Sequence, residues 1–321
     1  MWWGRLSAAA AIVAYMVETE TRRLLLVHAH PDDESIGTGA TMARYVADGA
    51  HVTLVTCTQG EQGEILVPEL AHLAPDQEDR LGEHRVKELA AAMAELGVQD
   101  YRFLGGPGRY RDSGMVWGED GRRAQAPGDV RPDSFWAADL RAAADHLVEV
   151  IREVRPQVMV TYDENGGYGH PDHIQAHRVA MYALILAGVE SYRRDLGPAW
   201  RVAKVYWSAM PRSAVQRGID LMKDAAEGPF GNVESADELG FVVDDADITA
   251  IIDGSSWVER KIAAMRSYPT QIDVEGPFFA LSDNIGQAIW GSEHYRLVHG
   301  MAGPVDPETG CESDLFAGLG I

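Results

Sequence analysis

The chain has 321 residues, with 28 Lys+Arg against 49 Asp+Glu, and a formal net charge of −21. That balance excludes a nucleic-acid surface, which needs clustered cations to displace counterions, and it disfavours an anionic membrane surface for the same reason. At 46% hydrophobic and 24% charged, the composition suits a globular α/β protein, and two cysteines, Cys57 and Cys311, are too few for a disulfide framework or a Cys-rich zinc site. A reduced, cytoplasmic protein is expected.

In chain order, Leu6–Val17 comes first, an apolar run between Arg5 and Glu18 that is too short to span a bilayer. It reads either as a secretory signal or as a segment upstream of a natural start at Met16. The second reading is preferred, because Met16 opens a polar lead-in to the strand beginning at Leu24. Residues 1–22 are therefore expected to be an extension, and 23–321 a single α/β catalytic domain.

From Arg23 onward, short β-branched runs alternate with stretches of helical spacing, the signature of βαβ units. Strands are predicted at Leu24–Ala29, His51–Thr58, Tyr101–Leu104 and Val158–Tyr162. Helices are predicted at Thr38–Asp48, Arg80–Leu96 and Ser134–Arg155, with Gly49, Gly97 and Pro156 as stops. A Rossmann-like, doubly wound, mainly parallel sheet follows, and such sheets bind ligands beyond the carboxyl ends of their strands. A less regular C-terminal portion completes the pocket: a strand at Val202–Ser208, a helix at Ser213–Ala226, a strand at Ile248–Asp253 and a helix at Ser256–Tyr268. The tail from Gly303 is rich in Pro and Gly, with Leu315-Phe316 placed to dock on the core.

The chemistry gathers in two of the crevice loops. The first reads His30-Pro31-Asp32-Asp33-Glu34-Ser35. An imidazole and two carboxylates at the top of a buried sheet are costly unless their charge is used, and a divalent zinc neutralises them without redox protection. Helix capping by Asp32, Asp33 and Ser35 is the plain alternative. The second loop, Tyr162 to His173, is glycine-rich and ends Gly169-His170-Pro171-Asp172-His173, with Pro171 suited to the first turn of a helix. Two histidines and an aspartate there form a second cluster of ligand types, which favours the metal site over capping.

His30, Asp33 and His173 would supply three ligands, leaving a fourth position open as catalytic sites require. Asp32 is then placed as general base toward a water acidified by the metal. His170 would stabilise the oxyanion and protonate the departing amine, with Asp172 orienting its ring. Tyr168 would add a hydrogen bond from a mobile loop. Ferrous iron tolerates the same His/Asp set, so the metal identity stays open.

The residues Ala29-His30-Pro31-Asp32-Asp33-Glu34 and Gly169-His170-Pro171-Asp172-His173 resemble the two signature motifs of the zinc-dependent N-acetylglucosaminylphosphatidylinositol de-N-acetylase-like family. The stretches Thr56 to Glu64, Gly108 to Gly114, Tyr162 to His170 and Leu315 to Gly320 resemble its actinobacterial branch that acts in mycothiol biosynthesis. The resemblance runs from about Met16 to the C-terminus. It implies one Zn2+ per subunit on the residues matching His30, Asp33 and His173, a general base matching Asp32, and assistance from Tyr168 and His170. The implied reaction is hydrolysis of the acetamide of 1-D-myo-inositol 2-acetamido-2-deoxy-α-D-glucopyranoside to acetate and the free amine. The implied partner is thus a small amino-sugar inositol, not nucleic acid or membrane. The resemblance points further to Arg85 and Asp112 as holders of sugar and inositol hydroxyls, with Glu64 and Met115 bordering the pocket.

Three other readings are weaker. A dinucleotide fold fails because Met42 occupies the third glycine position after Gly37-Thr38-Gly39, and a serine hydrolase fails because no Gly-x-Ser-x-Gly elbow occurs. A carbohydrate-binding protein without catalysis would not need a base beside the ligands. Within the family, an amidase cleaving mycothiol S-conjugates, or a deacetylase of another N-acetylglucosaminyl compound, would use identical ligands and stays open, as does the oligomeric state.

Overall fold

A computed structural model of the chain describes residues 21–119, 121–221, 233–273 and 291–321. The apolar run at Leu6–Val17 and the end of the helix expected to reach Ala226 lie outside the described residues. In chain order the elements are β1 (Arg23–His28), α1 (Asp33–Ala47), β2 (His51–Thr56), α2 (Leu81–Leu96), β3 (Asp100–Phe103), β4 (Val116–Trp117), β5 (Ala124–Gln125), α3 (Leu140–Val154), β6 (Val158–Thr161), α4 (Pro171–Ala187), β7 (Lys204–Pro211), α5 (Arg212–Leu221), β8 (Val242–Val243), β9 (Ala250–Asp253), α6 (Val258–Arg266) and β10 (Ser292–His299).

The main sheet runs β3-β2-β1-β6-β7-β10-β9, with β8 pairing the end of β7. Strands β3, β2, β1, β6 and β7 are parallel, and β10 is antiparallel to both β7 and β9. The mainly parallel doubly wound expectation therefore holds, with an antiparallel edge. Side chains of β1 alternate between two buried layers, as strand geometry requires. Leu24 and Leu26 pack with Met42 and Tyr45 of α1, Leu89 of α2 and Ile262 of α6. Leu25 and Val27 pack with Leu147 and Ile151 of α3 and Val179 of α4.

Several boundaries differ from the sequence reading for local reasons. Helix α1 begins at Asp33 rather than Thr38, because the amides of Ser35 and Ile36 already donate to the Asp32 carbonyl at 3.0 Å. Helix α3 begins at Leu140 rather than Ser134. The Phe135 amide is drawn to the Arg111 carbonyl and the Trp136 amide to Ser113 Oγ, so the helix waits for Asp139, whose side chain caps Ala142 N. The β4–β5 hairpin and strand β10 are additions to the elements read from sequence. Leu315 and Phe316 dock as expected, with Phe316 against Tyr45. The tail is anchored by Glu312, which is fully buried and takes hydrogen bonds from Lys204 Nζ and Tyr206 Oη, each at 2.6 Å. No helix among the described residues is long and apolar enough to cross a membrane.

The topology fixes where a ligand goes. Strand β1 lies between β2 and β6, so the chain leaves β1 toward one side and returns on the other, which opens a crevice at the carboxyl ends of β1 and β6. The two motif loops leave those two ends.

Candidate metal and active site

The loop after β6 reaches the crevice through close backbone approaches. A Cβ on Gly169, whose φ is +102°, would lie 2.6 Å from the Ala124 carbonyl of β5. This closeness permits the Ala124 amide to donate to the Tyr168 carbonyl at 2.9 Å. Pro171 then opens α4, His170 stands at its N-cap, and His173 falls on the first turn.

The side chains of the two loops converge. Ligand atoms of His30, His170 and His173 lie within 4.8 Å of one another, as do those of His30, Asp112 and Asp172. Asp33 spans two of these rings, with Oδ2 at 3.3 Å from His30 Nδ1 and Oδ1 at 3.3 Å from His173 Nε2. That nitrogen of His173 is buried and makes no hydrogen bond among the described residues. Burial opposes ionisation of Asp33, but His173 and His30 hold its carboxyl well below the usual carboxylate range. A buried imidazole nitrogen with no well-formed hydrogen bond, facing a carboxylate held ionised, is a donor set that a divalent cation fits.

The far side of His30 is equally specific. Its Nε2 lies 3.2 Å from Asp172 Oδ2 and 3.6 Å from Asp112 Oδ1. Burial would lower the pKa of His30, yet Asp112, Asp172 and Asp33 together hold it well above the ordinary value. Three carboxylates around one imidazole leave an excess of negative charge that a divalent cation balances.

The position of Asp172 corrects one expectation from sequence. Its carboxylate serves His30 instead of His170 and is fixed by Ser113, whose amide donates at 2.9 Å and whose hydroxyl also donates. It is the backbone amide of Asp172 that donates to His170 Nδ1, at 3.1 Å. The reason lies in the helix end: the first amides of α4 lack intrahelical partners, and His170 at the N-cap takes one. The bond leaves the hydrogen of neutral His170 on Nε2. Burial, with His30 and His173 nearby, keeps His170 well below the ordinary histidine pKa.

Asp32 makes no side-chain cap bond, so the capping alternative does not describe it. Its backbone has φ of 110°, a conformation that non-glycine residues rarely adopt. Two contacts hold it there. Glu34 Oε2 accepts from its amide at 3.0 Å, and Arg85 Nη2 donates to its Oδ2 at 2.8 Å and to the Pro31 carbonyl. Burial pushes Asp32 up to about 8, with Arg85 opposing and Asp33 and Glu34 reinforcing the shift. Burial likewise keeps the Tyr168 hydroxyl protonated, and its ring lies 5.2 Å from that of His173.

The residues matched to substrate contacts separate into three positions. Arg85 and Asp112 are buried inside the site, the first on Asp32 and Gly60, the second accepting from the amides of Gln62 and Gly114. Met115 lines the open cavity, of about 740 Å³, together with Asp32, Asp33, Tyr168 and His173. Glu64 is exposed and contributes its carbonyl to Gln271.

The sequence reading passed over Tyr162, the first residue after β6. Its hydroxyl donates to Asp33 Oδ2 at 2.8 Å and accepts from the Ala29 amide at 2.9 Å, while its ring stacks on His173 at 4.3 Å between centroids. Ser113 and Glu34 were missed as well. The available signal for Tyr162 was a lone aromatic directly before the glycine-rich loop, at the crevice end of its strand.

Fold and site together define an α/β protein with a buried His/Asp metal-type centre at the switch point of a parallel sheet. A family model described as GlcNAc-PI de-N-acetylase, PIG-L, matches residues 25–184. The chain is 60% identical over 306 residues to a protein of Kribbella flavida named 1D-myo-inositol 2-acetamido-2-deoxy-alpha-D-glucopyranoside deacetylase, covering 95% of this chain and 100% of the relative. It is 61% identical over 305 residues to a protein of the same name from Nocardioides sp., covering 94% and 100%. The chain belongs to the PIG-L deacetylase family. Among solved structures, the N,N'-diacetylchitobiose deacetylase from Pyrococcus horikoshii shares the fold at a TM-score of 0.56 and 18% identity, covering 90% of this chain and 88% of that one. A deacetylase solved in complex with teicoplanin does so at 0.51 and 20%, covering 86% and 98%.

Proposed function

We propose that the chain hydrolyses the acetamide of 1D-myo-inositol 2-acetamido-2-deoxy-α-D-glucopyranoside to acetate and the free amine, a step of mycothiol biosynthesis, with Zn2+ held by His30, Asp33 and His173. The observation that carries the reading is that Asp33 reaches both His30 and His173 while Asp32, Asp33 and His173 line one cavity, in a chain about three-fifths identical to relatives named for this reaction.

When bound, the cation supplies Lewis-acid chemistry, polarising the amide carbonyl and acidifying water. The rest falls to the protein. Asp172, fixed by Ser113, orients His30 through its far nitrogen. Asp32 takes a proton from the attacking water, and Arg85 fixes one oxygen of its carboxylate. His170, through Nε2, and Tyr168, through its hydroxyl, donate to the carbonyl oxygen as it gains charge. The proton that Asp32 has taken from water passes to the departing nitrogen as the C–N bond breaks, and the remaining acid proton is lost to solvent, leaving acetate and a neutral amine with His170 still neutral. Ferrous iron suits the same donors, and reconstitution with each metal distinguishes them.

A second reading, cleavage of mycothiol S-conjugates, is favoured by one observation: the cavity of about 740 Å³ is lined in part by the apolar side chains of Met210, Val215 and Leu239, which suits a larger acyl group. The test is amine release by the metal-loaded protein from N-acetylglucosaminyl-inositol, beside a mycothiol S-conjugate, before and after chelation. Preference for the first substrate, lost on chelation, is expected. Preference for the conjugate makes the protein an amidase, and activity on neither overturns both readings.

A further inference from the structure

The β4–β5 hairpin lies outside the main sheet and carries a large aromatic side chain that the mechanism above does not use. Trp117 is 55% exposed and belongs to none of the buried clusters. It is not an outward-facing surface residue either, because it lines the same cavity as Asp32, Tyr168 and His173. Its ring lies 6.0 Å from that of Tyr168, which in turn lies 5.2 Å from His173. Trp117 thus stands two ring-to-ring steps from the proposed metal ligands, along the wall of the cavity.

The hairpin that carries this side chain is tied at both ends. At its root the Ala124 amide donates to the Tyr168 carbonyl. At its turn Arg122 pairs with Glu238 at 3.2 Å, and Arg123 donates to the Gly240 carbonyl at 3.3 Å. A flat aromatic surface, presented on a tied hairpin within a cavity, is a recognition surface whose backbone entropy has already been lost on folding.

We propose that Trp117 is the platform on which the second ring of the substrate, the polyol ring that does not carry the acetamide, lies face-on. Hexose and cyclitol rings present C–H groups on their faces and hydroxyls on their edges, so an indole takes the face while polar groups take the edge. The acetamide must sit at Asp32 for reaction, and the sugar bearing it occupies the step beside Tyr168. The next ring reaches Trp117. The assignment rests on the deacetylase reading and adds to it a determinant of ring number: Trp117 selects two-ring substrates over N-acetylglucosamine alone.

The test compares wild type, Trp117→Phe and Trp117→Ala in metal-loaded protein. The ratio of kcat/KM for N-acetylglucosaminyl-inositol over N-acetylglucosamine is expected to fall about tenfold in Trp117→Ala, mainly through KM, and to be largely kept by Trp117→Phe. Intrinsic fluorescence, titrated with the glucosaminyl-inositol product and separately with glucosamine, supplies a readout independent of turnover. A product-specific emission change in wild type that is missing in Trp117→Phe is expected. An unchanged ratio in Trp117→Ala, or an emission change that persists in Trp117→Phe, overturns the platform while leaving the deacetylase standing. Absence of metal-dependent amine release from either compound in wild type overturns the deacetylase reading itself, and the platform with it.

Discussion

Asp32 occupies a backbone conformation that costs a non-glycine residue on the order of 1–3 kcal/mol, and Glu34 and Arg85 offset that cost by bonds to its amide and carboxylate. The strain aims one carboxylate at the cavity while its neighbour Asp33 turns to His30 and His173. Asp32→Asn is accordingly expected to retain metal, measured by elemental content, while turnover falls by on the order of 10²–10⁴, the share of a general base. Unchanged turnover would remove Asp32 from that role. Tyr162 makes a different contribution, because its hydroxyl is committed to Asp33 and the Ala29 amide while its ring stacks on His173. Tyr162→Phe keeps the stack on His173 and loses the bond to Asp33, so metal affinity is expected to drop roughly 10- to 100-fold in chelator competition, with thermal stability of the metal-free protein little changed. Equal affinity in the two proteins would make Tyr162 a packing residue. His30, Asp33 and His173 were legible as candidates because each sits in a short motif of ligand types. Tyr162 and Ser113 were not, since the contacts that define them span 129 and 59 residues of sequence and leave no local mark.

Elements were most readable where a strand is buried on both faces and a helix ends on glycine. Strands β1, β2 and β6 fall within two residues of their predicted bounds, and α2 ends on Gly97 in the left-handed conformation. The start of α3 was misread because its preceding residues have helix-compatible composition but bond to the 111–113 loop, a tertiary pull that periodicity does not register. The β4–β5 hairpin was missed because each strand has only two residues, below the length at which alternation can be seen. Yet this hairpin and the loop after β6 are one structural unit, joined where Gly169 passes the Ala124 carbonyl. Gly169→Ala is expected to destabilise the protein by about 1–3 kcal/mol, from the positive φ and the clash together, and to lower kcat by displacing Tyr168. Urea denaturation and kinetics on the same preparation check both, and a variant with wild-type stability and turnover would show that the two backbones can part freely.

Across the whole molecule, charge is distributed unevenly between surface and interior. The exterior accounts for most of a net charge of −21, while two lysines, Lys204 and Lys261, are buried against Glu312 and Glu293 at 2.6 Å. Removing one partner of such a pair strands the other without water. Glu312→Ala is expected to cost about 3–5 kcal/mol, measured by urea denaturation, whereas the double variant Lys204→Met, Glu312→Leu should recover much of that loss. A small effect of the single change would mean that the C-terminal tail is not held by this pair. The tail and its pair hold the start of β7, where Lys204 lies opposite Val158 at the start of β6, so they brace the end of the sheet away from the carboxyl ends of β1 and β6, where the motif loops emerge. Recognition is attached separately again. Because the hairpin grips the Tyr168 loop through main-chain atoms and its turn through Arg122 and Arg123, the side chains of residues 116–119 can change without loosening either hold, and they form a cassette in which sugar preference can be retuned, by natural drift or by a library, while the hydrolytic machinery is inherited intact.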